Sequence, residues 1–213
     1  MSTEKLFQQL KHPNPHLQQR AMWEIAENRD ETTIPRLMSI LDEQDTTYRR
    51  AAVKALGVIG LDAVNPLVEA LLSSDNVTVR GSAAKALAQV AININNNNID
   101  NNSDTSFPTA AIEGLKTALN DTNPVVNIGA AMALGEIGSP AAVDILIEAL
   151  QATDNPALAI SLVNALTSIG GNKVVEQLTS LTQDESTDNY VRESAVSALS
   201  RLEMVSKFNA RER

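Results

Sequence analysis

Cysteine is absent from the 213 residues of this chain, which excludes disulfide bonds, thiolate metal sites and a cysteine nucleophile. Aromatic residues make up only 3% of the chain, so its 43% of hydrophobic residues are mostly small or aliphatic. Such side chains suit closely packed helices, and alanine and leucine have high helix propensities. The composition therefore predicts a helical protein with a continuous hydrophobic core.

Basic residues are also scarce, because 17 Lys and Arg against 26 Asp and Glu leave a formal net charge of −9. This balance argues against non-specific nucleic-acid binding, which needs a basic face. The N-terminal segment lacks the apolar stretch of a signal peptide, and no continuous apolar run approaches the roughly 20 residues of a membrane span. We therefore expect a cytoplasmic protein that binds neither nucleic acid nor membranes.

One sequence segment recurs along the chain with a nearly constant period. The clear and weaker copies together begin at Leu17, Tyr48, Val79, Val126, Leu158 and Val191. Successive copies start 31, 31, 47, 32 and 33 residues apart. A period of this length is typical of helical repeat arrays, in which each unit buries its apolar face against its neighbours.

Each repeat is predicted to contain two helices joined by a polar turn. The first helix has apolar residues at helical spacing, as in Ile34, Leu37 and Leu41. The turn is rich in Asp, Asn and Pro, which cap the second helix. Glycines are predicted to end several second helices, namely Gly60, Gly138 and Gly170. The sequence thus predicts an all-α fold, a right-handed α-α superhelix of about six short helix pairs in one domain spanning residues 1–213.

The one long spacing, between the third and fourth copies, coincides with an Asn-rich segment. Residues 92–109 read ININNNNIDNNSDTSFPT. Asparagine favours turns over helices because its side chain competes for main-chain hydrogen bonds. We predict a polar loop inserted at residues 92–109, with a functional lid as the less favoured alternative.

The side of each second helix that faces away from the packing surface is the candidate functional surface. With Ala52 as the buried reference, Arg50 and Lys54 fall on the opposite side. Equivalent positions in other copies hold the only Trp, another cation and large aliphatic residues, namely Trp23, Lys85, Ile128, Met132 and Ile160. We predict a binding groove, basic in one part and apolar in the next. The alternative is that curvature buries some of these side chains between repeats.

An Asp precedes an Arg at three of the turns, in the pairs Asp45–Arg49, Asp75–Arg80 and Asp188–Arg192. These pairs predict a ladder of helix caps and surface ion pairs, each of which contributes little stability.

No autonomous catalytic constellation is present in the sequence. The only two histidines, His12 and His16, lie in a segment broken by Pro13 and Pro15, so no metal site is predicted there. The chain also lacks a P-loop, a dinucleotide fingerprint and a nucleophile elbow.

The repeat core resembles the short HEAT-like repeat of bilin lyases. It reads RxxAxxALGxIG over residues 49–60 and AxxALGxIG over residues 130–138. The segment RAMWEIA at residues 20–26, together with the overall length, makes the chain similar to the F-type (beta) subunits of cyanobacterial E/F-type phycocyanobilin lyases. The resemblance covers nearly the whole chain apart from the Asn-rich insertion.

This resemblance implies a heterodimer with an E-type subunit. The pair would attach phycocyanobilin to a cysteine of the phycocyanin alpha subunit through a thioether, and would also detach it. The bilin is then a substrate, and no cofactor is expected. Related F-type subunits that isomerise the bilin use a His–Cys motif, so isomerisation is not expected from a chain without cysteine.

The groove residues acquire roles from the same resemblance. Arg50, Lys54 and Lys85 are expected to pair with the bilin propionates. The apolar residues Trp23, Ile128, Met132 and Ile160 are expected to cover the ring system or the partner subunit. The acceptor protein supplies the thiol, so this chain would orient and protect the bilin. Asp45 and Glu24 are candidates for a general acid, and the sequence does not choose between them.

Two other functions fit a helical repeat protein. One is a non-catalytic adaptor in phycobilisome assembly or degradation. The other is a metal-dependent hydroxylase of the HEAT-like class, which is rejected because the paired His–Glu motifs it requires are absent.

Overall fold

The computed structural model describes residues 2–97 and 107–211, and nearly all of these residues are helical, with no strand among them. The α-helices of this part of the chain are α1 (Thr3–Gln9), α2 (Pro15–Glu27), α3 (Thr33–Ser39), α4 (Thr46–Ile59), α5 (Val64–Ser73), α6 (Val77–Asn97), α7 (Thr109–Ala118), α8 (Pro124–Ile137), α9 (Pro140–Ala152), α10 (Pro156–Ile169), α11 (Asn172–Gln183) and α12 (Asn189–Arg211). Successive helices form six pairs, which confirms the predicted number of repeats and the all-α class.

The chain divides into two compact units, Met1–Ala133 and Leu134–Arg213. In the first unit, the second helix of each pair packs against the second helix of the next, α2 on α4 and α4 on α6. In the second unit, α10 packs on α12 in the same way. Each unit is thus a short stack of helix pairs, the architecture of α-α solenoids.

All six second helices start from the same kind of cap. The capping residues, whose side-chain oxygens accept a hydrogen bond from the main-chain N–H two residues later, are Asn14, Asp45, Asn76, Asn123, Asn155 and Asp188. Such a bond satisfies one of the N–H groups that a helix start leaves without a partner. The caps also give every second helix the same starting point, so positions counted from the cap are equivalent in all repeats.

The core follows the sequence alignment of the repeats. The central position of the six second helices is fully buried in every copy, at Ala21, Ala52, Ala83, Ala130, Leu162 and Ala195. One leucine of each first helix from α3 onward is also completely inaccessible, at Leu37, Leu67, Leu115, Leu146 and Leu178. Small residues on the second helices and leucines on the first allow close helix packing, as the low aromatic content predicted.

Three glycines end second helices, as predicted from the sequence. Gly60, Gly138 and Gly170 follow α4, α8 and α10 with φ angles of 83°, 64° and 72°. Glycine adopts this left-handed region without the steric cost that a Cβ atom imposes.

The break at Gly60 also explains an apolar stretch of the chain. Residues Thr46–Ser73 include an 18-residue window with a mean hydropathy of 1.6, enough by length and composition to cross a membrane. Gly60 and the short 3₁₀ turn Gly60–Ala63 divide this stretch into α4 and α5, which contribute buried side chains to the core. The stretch is therefore two packed helices of the stack.

The predicted loop at residues 92–109 is wrong at both ends. Helix α6 continues through Asn97, and Thr109 is already the first residue of α7. Ile92 and Ile94 are partly buried. Once a helix is nucleated, each added residue forms a hydrogen bond, and this outweighs the modest helix propensity cost of single asparagines. Residues 98–106 of the predicted loop lie outside the described residues.

The predicted Asp–Arg ion-pair ladder is also wrong, although Asp45 and Asp188 do cap helices. Arg80 does not pair with the Asp75 carboxylate but with Asp121 in the turn of the next repeat, through bonds of 2.7 Å from Nε and 3.2 Å from Nη2. Both side chains are largely buried, with 16% and 13% of their surface exposed. This two-point ion pair joins the third repeat to the fourth across the Asn-rich insertion.

Replacing Asp121 by Asn should lower the melting temperature at pH 7 by about 2–4 °C, the shift typical of losing one moderate interaction in a domain of this size. The hydrogen bond from Arg80 is the main reason that the pKa of Asp121 lies below its ordinary value, and it outweighs the opposing effect of burial. The unfolded chain therefore binds a proton at higher pH than the folded chain does. The stabilisation is fully present above the unfolded pKa of about 3.9 and is lost as the pH falls through the folded pKa.

Thermal melts of the wild type and Asp121→Asn between pH 7 and pH 3 test this assignment. The difference between the two proteins should shrink towards the acid end. Asp75→Asn is the matched control, because only the main-chain carbonyl of Asp75 accepts a bond from Arg80, at 3.3 Å. An equal loss of stability in both variants would show that the Arg80–Asp121 pair has no special role.

Candidate functional site

Four of the seven predicted surface residues occupy one equivalent position on the second helices. In the first unit, the residues nine positions after the caps are Trp23, Lys54, Lys85 and Met132, which we call the exposed row. All four side chains are solvent-exposed, with exposures of 45% for Trp23 and 52% for Met132. Because the central position two residues earlier is fully buried in each helix, the row faces away from the core.

The packing of neighbouring helices places these side chains next to one another. Helices α2, α4 and α6 pack in succession. Helix α8 approaches α6 so closely that a Cβ atom on Gly129 would lie 3.1 Å from the Cβ atom of Ala84. Equivalent positions on successively packed helices point to the same surface, so the exposed row forms one open strip of the first unit.

A second set of positions, four residues before the row, gives the strip its width. Arg50 is exposed, and Ile128 is partly buried. The equivalent residue on α6 is Gly81, which is buried because Val125 lies over it; a Cβ on Gly81 would be 2.9 Å from Val125 Cγ1. The strip therefore has cations on α4 and α6 and apolar side chains on α8.

Val125 belongs to this apolar part and was missed from the sequence. It lies at the start of α8, two residues after the cap, and 49% of its surface is exposed. Its contact with Gly81 supplies the side chain that the glycine lacks at that place. Gly81 was the feature of the sequence that could have indicated this contact, because the missing side chain on α6 leaves room for a residue of α8.

In the part of the chain that the structure describes, the cations of the strip have no acidic partner. Among the described residues, Arg50, Lys54 and Lys85 form no ion pair, whereas Arg29 and Arg36 are paired with carboxylates at 2.8 Å and 2.7 Å. Three unpaired cations on one face concentrate positive charge on a chain with a net charge of −9. Such a local positive field attracts an anionic ligand or an acidic group of a partner.

Ile160 belongs to the second unit and is described with its own neighbours. It lies on α10 and is partly buried. The row position on this helix is Asn164, whose Oδ1 accepts a hydrogen bond of 3.1 Å from Arg201 on α12. The row position of α10 is therefore polar, and the partly buried Ile160 offers less apolar surface than the exposed Met132.

The two candidate acids both have structural partners. Oδ1 of Asp45 accepts hydrogen bonds from the main-chain N–H groups of Thr47 and Tyr48, at 2.8 Å and 3.1 Å, and so caps α4. Glu24 is partly buried and forms an ion pair of 2.6 Å with Arg20, one turn earlier on α2. Glu24 directly follows Trp23 on α2, whereas Asp45 precedes Lys54 by nine residues, so Glu24 is the candidate nearer to the exposed row in its helix. The small cavity of about 100 Å³ that Glu24 borders is lined by Thr3, Leu6 and Thr33 and is not part of the row.

Truncating exposed row residues should leave the protein as stable as the wild type. We expect Lys85→Ala and Met132→Ala each to change the free energy of unfolding by no more than about 0.5 kcal/mol, as surface substitutions do. Leu87→Ala, two residues from Lys85 but fully buried, should cost about 2–5 kcal/mol. Urea denaturation measures both effects. A loss above that surface range at Lys85 or Met132 would mean that the row is part of the packing and not a free surface.

The chain also matches a known protein family in sequence. The family profile for HEAT repeats matches residues 3–88 and 111–200, which together are most of the chain. Among solved structures, human deoxyhypusine hydroxylase has a similar fold, with a TM-score of 0.52, 20% identity and coverage of 95% of this chain and 84% of that one. At this identity the likeness concerns the fold alone. The described residues contain no group of three or more His, Cys, Asp or Glu side chains that could hold a metal ion.

Two curated proteins are similar in sequence over most of the chain. The first is "Uncharacterized phycocyanin operon protein Z" of Pseudanabaena tenuis (strain PCC 7409), which is 58% identical over 208 residues, 98% of each chain. The second is "Bilin biosynthesis protein CpeZ" of Synechococcus sp. (strain WH8020), which is 35% identical over 182 residues, 83% of this chain and 93% of that protein. Both similarities extend well beyond a single repeat, so they concern the whole arrangement of helices.

Proposed function

Because the chain belongs to the HEAT-repeat family that includes phycocyanin operon protein Z and the bilin biosynthesis protein CpeZ, we propose that it takes part in attaching bilins to phycobiliproteins. More specifically, it is the F-type subunit of a heterodimeric, cytoplasmic lyase whose other subunit is E-type. The lyase joins phycocyanobilin to a cysteine of the phycocyanin alpha subunit and can remove it. The bilin is the substrate, and no resident cofactor is needed.

The observation that carries this proposal is the unpaired positive charge beside exposed apolar side chains. A bilin is a flexible, largely apolar tetrapyrrole with two propionate groups. Lys54 and Lys85 occupy equivalent exposed positions on adjacent helices, with Arg50 one turn away from Lys54. Charge-assisted hydrogen bonds from these cations suit two carboxylates, and Met132 and Trp23 offer apolar surface to the rings or to the partner subunit.

The reaction requires little acid–base chemistry from this chain. The sulfur of the acceptor cysteine forms a bond to the ethylidene carbon, the carbon–carbon double bond of that group is lost, and one proton is added to the neighbouring ring carbon. No oxidant or reductant is required. Holding the bilin in one orientation beside the thiol removes much of the entropic barrier to such an addition. Glu24 is the proposed proton donor among the two candidates because it follows Trp23 directly, and it would have to leave its ion pair with Arg20 to act in this step.

An adaptor function is the second candidate, and one observation favours it. Both candidate acids have structural partners, and among the described residues no nucleophile–base arrangement lies beside the exposed row. A protein without chemistry of its own could use the same row to hold a phycobiliprotein. The two functions differ in whether the chain is required for the covalent bond.

Co-expression distinguishes them. The chain is produced with an E-type subunit, a source of phycocyanobilin and the apo phycocyanin alpha subunit, and bilin that survives denaturing electrophoresis is measured by zinc-enhanced fluorescence. The lyase function predicts covalent fluorescence that depends on this chain. Equal fluorescence without the chain would reject the lyase function and favour the adaptor.

The exposed row makes a sharper prediction in the same assay. Lys54→Ala combined with Lys85→Ala should lower the initial rate of bilin attachment about tenfold or more, as expected from losing charge-assisted hydrogen bonds to propionates. Lys5→Ala, an exposed lysine on α1, is the matched control and should leave the rate unchanged. Unchanged attachment in the double variant would remove the row from the bilin site without affecting the family assignment.

A further inference from the structure

One position recurs in all six second helices and closes the preceding turn. It is the fourth residue after the cap, whose main-chain N–H donates to the carbonyl of the capping residue. In chain order, the residues at this position are Gln18, Arg49, Arg80, Asn127, Ala159 and Arg192. Five of the six carry a side chain that can donate hydrogen bonds, and only Ala159 does not.

Four of the five donors reach back to the turn between the paired helices, whereas Arg192 bonds to the first residue of its own helix. Gln18 donates to the main-chain carbonyl of Leu10, and Arg49 donates to that of Glu43. Arg80 donates to the carbonyls of Ser74 and Asp75, and Asn127 donates to that of Asp121. Arg192 donates to the side-chain oxygen of Asn189. The repeat therefore uses this position to satisfy polar groups of its own turn. In the fifth repeat, Ala159 has no side-chain donor, so it makes no such hydrogen bond to the turn.

Arg80 shows what a full-length donor does at this place. Its Nη1 donates to the carbonyls of Ser74 and Asp75, at 3.0 Å and 3.3 Å, within its own repeat. The same guanidinium forms a bidentate ion pair with Asp121 of the next repeat. One arginine thus fills the space between two consecutive turns and neutralises a carboxylate there.

A cleft of about 510 Å³ occurs at the corresponding place in the second unit, within the range of roughly 300–1,000 Å³ typical of ligand sites. Ala159 lines it, together with Thr153 and Asp154 from one turn and Asp184 and Thr187 from the next. Thr153 and Asp154 stand in the places of Ser74 and Asp75, because each pair directly precedes the capping Asn of its helix. The fifth repeat thus has residues at both positions whose carbonyls accept hydrogen bonds from Arg80 in the third repeat.

The carboxylate side is repeated as well. Asp121 and Asp184 both lie six residues after the buried leucine of their first helix, Leu115 and Leu178. Oδ1 of Asp121 accepts the main-chain N–H two residues later at 2.8 Å, and Oδ1 of Asp184 accepts that of Ser186 at 2.9 Å. The turn after Asp184 is two residues longer, because Asn123 caps α8 directly whereas Ser186 precedes the cap Asp188. The pKa of Asp184 lies below its ordinary value, chiefly because the Ser186 hydroxyl also donates to it. Asp184 is therefore charged at neutral pH, and the nearby charge of Arg192 on α12 also contributes to its lowered pKa. Within the described residues, neither Asp184 nor Asp154 forms a salt bridge.

We propose that this cleft, defined by Ala159, Thr153, Asp154 and Asp184, receives the guanidinium group of an arginine that projects from a protein partner. The incoming group takes the place that Arg80 fills in the first unit, donating to the turn carbonyls and pairing with Asp184. Leu150, Pro156 and Leu181 also line the cleft and give the aliphatic part of the arginine an apolar surface. This inference does not depend on the proposed function, because it concerns a different unit and a different chemistry.

The test uses the full chain labelled with ¹⁵N and two peptides. One peptide is acetyl-Gly-Gly-Arg-Gly-Gly-amide, and the other replaces Arg by citrulline, which has nearly the same shape but no charge. The arginine peptide should produce saturable shifts of the Asp154, Ser186 and Thr187 amide signals. The citrulline peptide should bind about tenfold more weakly or less, as expected from losing a charge-assisted hydrogen bond.

Substitution of Ala159 gives an independent arm. Ala159→Arg should fill the cleft from within, raise the melting temperature and abolish the peptide-induced shifts. Ala159→Leu adds bulk without a donor, so it should not raise the melting temperature. Asp184→Asn should weaken peptide binding about tenfold while preserving the turn.

Three results would overturn the proposal. They are equal responses to both peptides, shifts that persist in Ala159→Arg, and binding of free methylguanidinium as tightly as the arginine peptide. The last would assign the cleft to a small cation and not to a side chain of a protein. The wild-type titration stands by itself even if a variant does not fold.

Discussion

The close packing of alanine-rich second helices is the constraint on which the rest of the structure depends. The centre of each helix is a fully buried alanine or leucine, and glycines at Gly81, Gly129 and Gly135 face neighbouring helices at distances that leave little room for a Cβ atom. Helices this close must share one register, because a rotation would drive larger side chains into the interface. The common Asx caps set that register, and it determines which side chains remain at the surface.

That shared register turns scattered sequence positions into a surface. Lys54 and Lys85 are 31 residues apart in the sequence, yet they occupy equivalent places on adjacent helices. The repeat fixes where each side chain lies, but the residue type at exposed positions differs from copy to copy. One strip of the first unit can therefore change from cationic to apolar between α4 and α8. The same freedom explains the second unit, where Ala159 stands at a position that elsewhere holds a donor. Function in such an array therefore lies in the departures from its pattern.

The sequence predicted the repeat positions, the kind of residue that caps the second helices and the exposure of Trp23, Lys54, Lys85 and Met132, because helical periodicity and capping depend on local chemistry. It was wrong where local preference competes with propagation, as at Ile92–Asn97, which extend α6 despite their asparagines. It was also wrong about Arg80, whose nearest acid in sequence is not its partner in space. Val125 was missed because its surface position depends on Gly81 of the preceding repeat.

By itself, the sequence determined the helical class, the six-fold repetition and the side of each second helix that faces the core, since these follow from residue spacing and capping chemistry. Only the tertiary structure decided which residues of neighbouring turns contact one another. It paired Arg80 with Asp121 across the insertion and placed Asp184 opposite the turn that Ala159 leaves open. These contacts join residues of different repeats, and their geometry is set by how the pairs stack, which no local pattern records.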